Sequence, residues 1–87
     1  MSLKRYAARR DETEAGIVKA LRQVGAHVLR LDLFDLLVLY RGKVFMLDAK
    51  TAKGRATLAQ EAMIAAGWPL TYVRDEIAAL RAIGAVR

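Results

Sequence analysis

The chain contains no cysteine, one proline, one histidine and one tryptophan among its 87 residues. Without cysteine there is no disulfide framework and no thiolate metal site, which fits a reducing, cytoplasmic setting. No apolar run approaches the roughly 20 residues that cross a bilayer. No apolar signal core follows the basic N-terminus, so no membrane partner is expected. Also missing are a glycine-rich phosphate loop, a G-x-S-x-G elbow and zinc-ligand spacings. Acidic residues are scarce: nine Asp and Glu stand against fifteen Lys and Arg, a net charge of +6. That excess favours a polyanionic partner, foremost nucleic acid.

Apolar residues make up 55% of the chain, which excludes intrinsic disorder. No repeat, low-complexity segment or linker divides it, so residues 1–87 are expected to form a single domain, with 1–10 as a basic N-terminal arm. A core of this size buries only roughly 60–65% of the unfolded surface, so a second copy of the chain, or a ligand, is expected to add stability. The cations gather in "LKRYAARR", which holds Arg9 and Arg10, in "YRGK", with Arg41 and Lys43, and in "KTAKGR", with Lys50, Lys53 and Arg55.

Residues 11–24 carry Ile17, Val18, Leu21 and Val24 at helical spacing. Asp11 with Glu14 three residues on matches a capping box, and Gly25 is a stop signal. "HVLRLDL" (27–33) alternates as a strand does. "DLLVLYR" (35–41) and "KVFMLDAK" (43–50) are two more strands, joined by a hairpin turn at Arg41–Gly42. A second helix is expected over 57–66, with Thr57 and Gln60 as capping box, Gly67 as stop and Pro69 barring continuation. "LTYVR" (70–74) is a fourth strand, and Asp75 caps a last helix running to about Ile83. The order αβββαβα, with a helical crossover between the third and fourth strands, predicts an α/β fold: a mixed central sheet flanked by helices.

The strand 43–50 is apolar on both faces at its start and ends in "DAK". Asp48 and Lys50 share one face with Met46, because side chains alternate across a strand. In open α/β sheets the carboxyl ends of strands line the ligand crevice. An isolated D-x-K triplet reads equally as a plain ion pair, but an exposed pair contributes only about 0–1 kcal/mol. Counting outward from the turn places Asp35 opposite residue 48, so two carboxylates and an ammonium converge there. Two like charges so close repel, and a divalent cation removes the conflict. Oxygen-only donors point to a hard ion, Mg²⁺ or Mn²⁺. Glu14 and Gln60 have capping roles that account for them locally. His27 reads as a strand-edge residue, and Trp68, Tyr40 and Tyr72 as packing residues.

The ordered set Glu14, Asp35, Asp48-Ala49-Lys50 and Gln60 resembles the PD-(D/E)XK nuclease superfamily, and within it the small VRR-NUC type related to Holliday junction resolvases. The likeness spans nearly the whole chain. "RRDETEAGIVKALRQVGAHVLRL" resembles that group's first helix and strand, "FDLLVLYRGKVFMLDAK" its metal-binding hairpin, and "GRATLAQ" its loop and following helix. Two positions depart from the pattern: Phe34 stands where the family usually has proline, and Asp48 where close relatives carry glutamate.

The resemblance implies a restriction-endonuclease-like core and metal-dependent hydrolysis of DNA, with a leaning toward branched or flapped substrates. Asp35 and Asp48 would hold the metal with the Ala49 carbonyl, and Glu14 would complete the acidic site. Lys50 would orient the attacking water and Gln60 would position water or Lys50. Arg9, Arg10, Arg41, Lys43, Lys53 and Arg55 would hold the DNA backbone, and a homodimer would cut two strands. The two departures keep a second reading in view, a catalytically silent nucleic-acid-binding module. A structural subunit-interaction domain is a third.

Overall fold

The hairpin turn sets the register of everything that follows. Arg41 and Gly42 both have positive φ, 51° and 78°, the two-residue geometry whose twist matches the flanking strands. Glycine meets this requirement at no steric cost, whereas Arg41 adopts it under strain. Tyr40 consequently pairs with Lys43 and Leu36 with Leu47, so residue 35 falls opposite residue 48, as the sequence predicts.

The computed structural model describes residues 2–50 and 56–86, and for residues 2–11 the backbone alone. The elements are α1 (Ser2–Gln23), β1 (His27–Arg30), β2 (Leu36–Tyr40), β3 (Lys43–Ala49), α2 (Leu58–Ala66), β4 (Leu70–Val73) and α3 (Glu76–Ala82). They follow the predicted αβββαβα order. The sheet order is β1-β2-β3-β4, antiparallel except for the parallel β3–β4 pair on either side of α2.

Two boundaries differ from expectation. The first helix begins at Ser2 rather than at residue 11, so the segment expected as a basic arm is helical and Asp11 is not an N-cap. The stretch before Asp11 holds Leu, Lys, Arg and Ala, all strong helix formers, with neither Gly nor Pro to stop it. The first strand ends at Arg30, and residues 32–35 form a bend.

The other signals hold. Thr57 and Gln60 form a reciprocal capping box, Gly67 closes α2 at φ 104°, and the Asp75 side chain accepts from Ala78 N.

One sheet face carries Val28, Leu36, Val38, Leu47 and Val73. They pack with Ile17, Val18 and Leu21 of α1 and with Ala79 and Ile83 near α3 to form the main core. The opposite face carries Met46 and Leu70, which join Phe34 in a smaller cluster flanked by Leu37 and Met63 of α2. Helix α2 covers only part of this face, because the short helix meets mainly β4. Leu29, Leu39 and Val44 remain exposed there. No helix among the described residues is long and apolar enough to cross a membrane.

Candidate functional site

Asp48 occupies the carboxyl end of β3, opposite Tyr72 of the parallel neighbour β4. Alternation aims its side chain toward α2, on the same face as Met46. Four chain segments meet around it. The Asp35 backbone N–H donates to Asp48 Oδ1 at 3.0 Å. In return Asp35 Oδ2 accepts from the Ala49 N–H at 2.8 Å. Gln60, buried in the first turn of α2, donates from Nε2 to Asp48 Oδ1 at 3.1 Å and to the Leu33 carbonyl at 3.2 Å. Lys50, two residues on, sets Nζ 2.6 Å from Asp48 Oδ2 and 5.5 Å from the centroid of the Tyr72 ring.

Asp48 is fully buried, at 0% relative exposure. A carboxylate there incurs a large desolvation cost unless it is paired and hydrogen-bonded. Its Oδ1 is well supplied, with two donors. Its Oδ2 is not. The Lys50 ammonium 2.6 Å away balances its charge, and no other donor among the described residues reaches Oδ2. The Oδ2 charge is therefore balanced by a single ammonium, while Oδ1 has two donors. Replacing such a buried pair by apolar side chains is often neutral or stabilising. Packing alone thus gives no reason to end a core strand in this way.

Asp35 and Asp48 are two hard oxygen donors side by side. Among the described residues they are not part of any group of three or more His, Cys, Asp and Glu side chains able to hold a metal. A closed protein cage is therefore not built from these residues. A Mg²⁺-type site is a different matter, since that ion usually keeps several waters and is held by one or two carboxylates together with substrate phosphate. The under-supplied Oδ2 beside a second carboxylate fits that demand.

The structure gathers Asp35, Asp48, Ala49, Lys50 and Gln60. Glu14 is placed elsewhere: its Oε2 accepts from both Nε and Nη2 of Arg30, on the α1 side of the sheet. The Asp11 capping box expected for it is absent, because α1 runs straight through both positions. Arg41 and Lys43 are exposed at the hairpin turn, with the Arg41 guanidinium 5.2 Å from the Tyr40 ring centroid. Five residues of strand, about 17 Å, separate that turn from Asp48. The side chains of Arg9 and Arg10, and Lys53 and Arg55 altogether, lie outside the described residues.

His27 is exposed at the start of the edge strand β1, as expected, whereas Trp68, read as a packing residue, is largely exposed. Tyr72 faces the site through Lys50, and its signal was the parallel register, which places it beside Asp48. The basic residues Lys19, Arg22 and Arg30 line a single groove. The first two were legible as an i, i+3 pair on a helix; the third required knowing where β1 packs.

Comparison with protein-family models, with curated proteins and with solved structures finds no match.

Proposed function

We propose that the protein is a metal-dependent endonuclease that hydrolyses DNA phosphodiester bonds. The observation that carries this reading is the buried Asp48 carboxylate. Its Oδ1 is fixed by Asp35 N and Gln60, and its Oδ2 meets only the Lys50 ammonium among the described residues, with the Asp35 carboxylate held on the neighbouring Ala49 amide. Asp35 and Asp48 would hold a Mg²⁺ or Mn²⁺ ion, with the Ala49 carbonyl as a further donor. Such an ion supplies a Lewis acid for the scissile phosphate and an acidified water as nucleophile. Lys50, whose ammonium lies 5.5 Å from the centroid of the Tyr72 ring, would supply positive charge near the scissile phosphate. Gln60 is a positioning residue that fixes the Asp48 carboxylate through the first turn of α2. The surplus of basic side chains supports binding to backbone phosphates without reading sequence.

Cleavage of labelled linear and four-way DNA with Mg²⁺ or Mn²⁺ tests this reading. Wild type is expected to cut, and Asp48→Ala and Lys50→Ala are each expected to lose at least 100-fold in rate, on the order seen when a preorganised charged group is removed. Equal cutting by all three would remove these residues from the mechanism.

The second reading, a catalytically silent nucleic-acid-binding module, draws on the engagement of Glu14 with Arg30, which leaves two carboxylates at the site rather than three. It requires salt-sensitive DNA binding with no metal uptake by calorimetry.

We also infer a homodimer. Leu29, Leu39 and Val44 on the uncovered sheet face, with Leu31 and Leu33 just beyond β1, are exposed apolar side chains. Together they present on the order of 400 Å² of apolar surface, the size of the largest patch on a typical monomer and often a functional one. Two such patches face to face come close to the ~1,000 Å² of a biological interface. On a chain of charge +6 a second copy is accepted only through an uncharged patch. Leu29, Leu37, Leu39, Val44 and Met46 on this face form an apolar patch between His27 and the Asp48 site, and two copies could join such a patch about a two-fold axis.

A further inference from the structure

A groove of about 460 Å³ lies between α1 and β1, lined by Ala15, Val18, Lys19, Arg22, Gln23 and Arg30. We propose that it is a subsite for a backbone phosphate of nucleic acid, separate from the Asp35–Asp48 site. Three cations and an amide converge on it. Val18 is buried and forms an apolar floor, while Lys19, Arg22 and Gln23 are exposed around it. Among the described residues no carboxylate lines the groove, and Glu14 reaches it through the Arg30 guanidinium.

The three cations play different parts. Arg22 Nη2 donates to the Val28 carbonyl at 3.4 Å, which anchors the guanidinium plane against β1 and leaves its other N–H groups for a ligand. Lys19 has no ion-pair partner among the described residues and supplies a mobile point charge one turn away. Arg30 is held by Glu14 and contributes field more than contact. A guanidinium fork, an ammonium and a Gln amide over an apolar floor match a phosphodiester with its adjoining sugar, the commonest kind of protein–DNA contact.

The groove opens on the α1 side of the sheet, whereas the Asp48 side chain points to the α2 side. Arg30 is in register with Leu36, and Leu36 with Leu47, the residue before Asp48. Two strand spacings set the Arg30 and Leu47 backbones about 10 Å apart within the sheet, so the groove and Asp48 lie toward the same end of the sheet but on opposite faces. The inference rests on nucleic-acid binding and not on cleavage.

The test is fluorescence anisotropy of a labelled 30-base-pair duplex in EDTA, over a series of KCl concentrations. The variants are Lys19→Ala, Arg22→Ala and the double, with Arg81→Ala on α3 as a control of equal charge change. Each groove variant is expected to lower the slope of log K against log[salt] by about 0.9, and the double by about 1.8. Arg81→Ala is expected to leave the slope unchanged. Circular dichroism checks the fold, and Lys19→Ala removes an exposed side chain that has no ion-pair partner among the described residues. Slopes equal to wild type in the groove variants, or the same fall in Arg81→Ala, would overturn the proposal, as would the absence of DNA binding by wild type at 50 mM KCl. Groove-dependent binding without any cleavage on adding Mg²⁺ or Mn²⁺ would uphold the subsite and remove the nuclease reading instead.

Discussion

Asp35 and Asp48 are clasped to one another through their backbones: the amide of Asp35 binds the Asp48 carboxylate, and the amide following Asp48 binds the Asp35 carboxylate. Each acid is fixed by a donor that no side-chain substitution removes. Two like charges stay adjacent because each satisfies one oxygen on main-chain N–H, and only the remaining Asp48 oxygen depends on Lys50.

That dependence is open to measurement. Lys50→Ala leaves a fully buried carboxylate without its counter-charge and is expected to destabilise the fold by about 3 kcal/mol. The double change Asp48→Asn with Lys50→Met removes both charges and is expected to recover most of that loss while remaining inactive on DNA. Urea denaturation of wild type and the two variants checks it. A double variant as unstable as Lys50→Ala would show that the pair is needed for packing.

Gln60 caps α2 and holds Asp48 at once. Gln60→Ala is expected to cost about 2 kcal/mol, since it removes a bond to a charged acceptor together with half of a capping box. Thr57→Ala, which removes the cap alone, is expected to cost about 1 kcal/mol and to spare cleavage. Thermal melts and cleavage rates of the two variants separate the capping role from the positioning role.

Arg41 sits at φ 51°, where asparagine is far better tolerated. Arg41→Asn is expected to raise the melting temperature by roughly 2–5 °C, from up to about 1 kcal/mol of relieved strain. Gly42→Val is expected to lower stability by more than 1 kcal/mol. Differential scanning calorimetry reads both.

Leu39 and Val44 are cross-strand partners on the bare face. Leu39→Asp with Val44→Asp is expected to convert a dimer of wild type into a monomer at micromolar concentration by light scattering, without loss of the fold, because both side chains are exposed. A monomeric wild type would contradict the inferred dimer.

The sheet end that holds the carboxylates was legible because a two-residue turn fixes register over the whole hairpin, so counting from Arg41–Gly42 was enough to bring Asp35 to Asp48. The helix caps at Thr57 and Asp75 were legible for a similar reason, being local hydrogen bonds within four residues. What sequence did not disclose was non-local or permissive. Nothing in "LKRYAARR" stops a helix, and Asp11 inside one costs only a fraction of a kcal/mol, up to roughly 0.7. Glu14 meets Arg30 across sixteen positions, a contact set by where α1 lies on β1, which periodicity does not specify. The distance of Arg41 and Lys43 from the site follows from strand length, and charge clustering alone conceals it.

The most direct test of the central claim is the anomalous density of crystals soaked in Mn²⁺. A peak bonded to Asp48 Oδ2 and within reach of Asp35, at about 2.1 Å from the nearest carboxylate oxygen, with the Lys50 ammonium turned away, is the expected result. Full density for Lys50 Nζ against Asp48 and no peak at saturating Mn²⁺ would contradict the account and leave Asp48 and Lys50 as a buried ion pair.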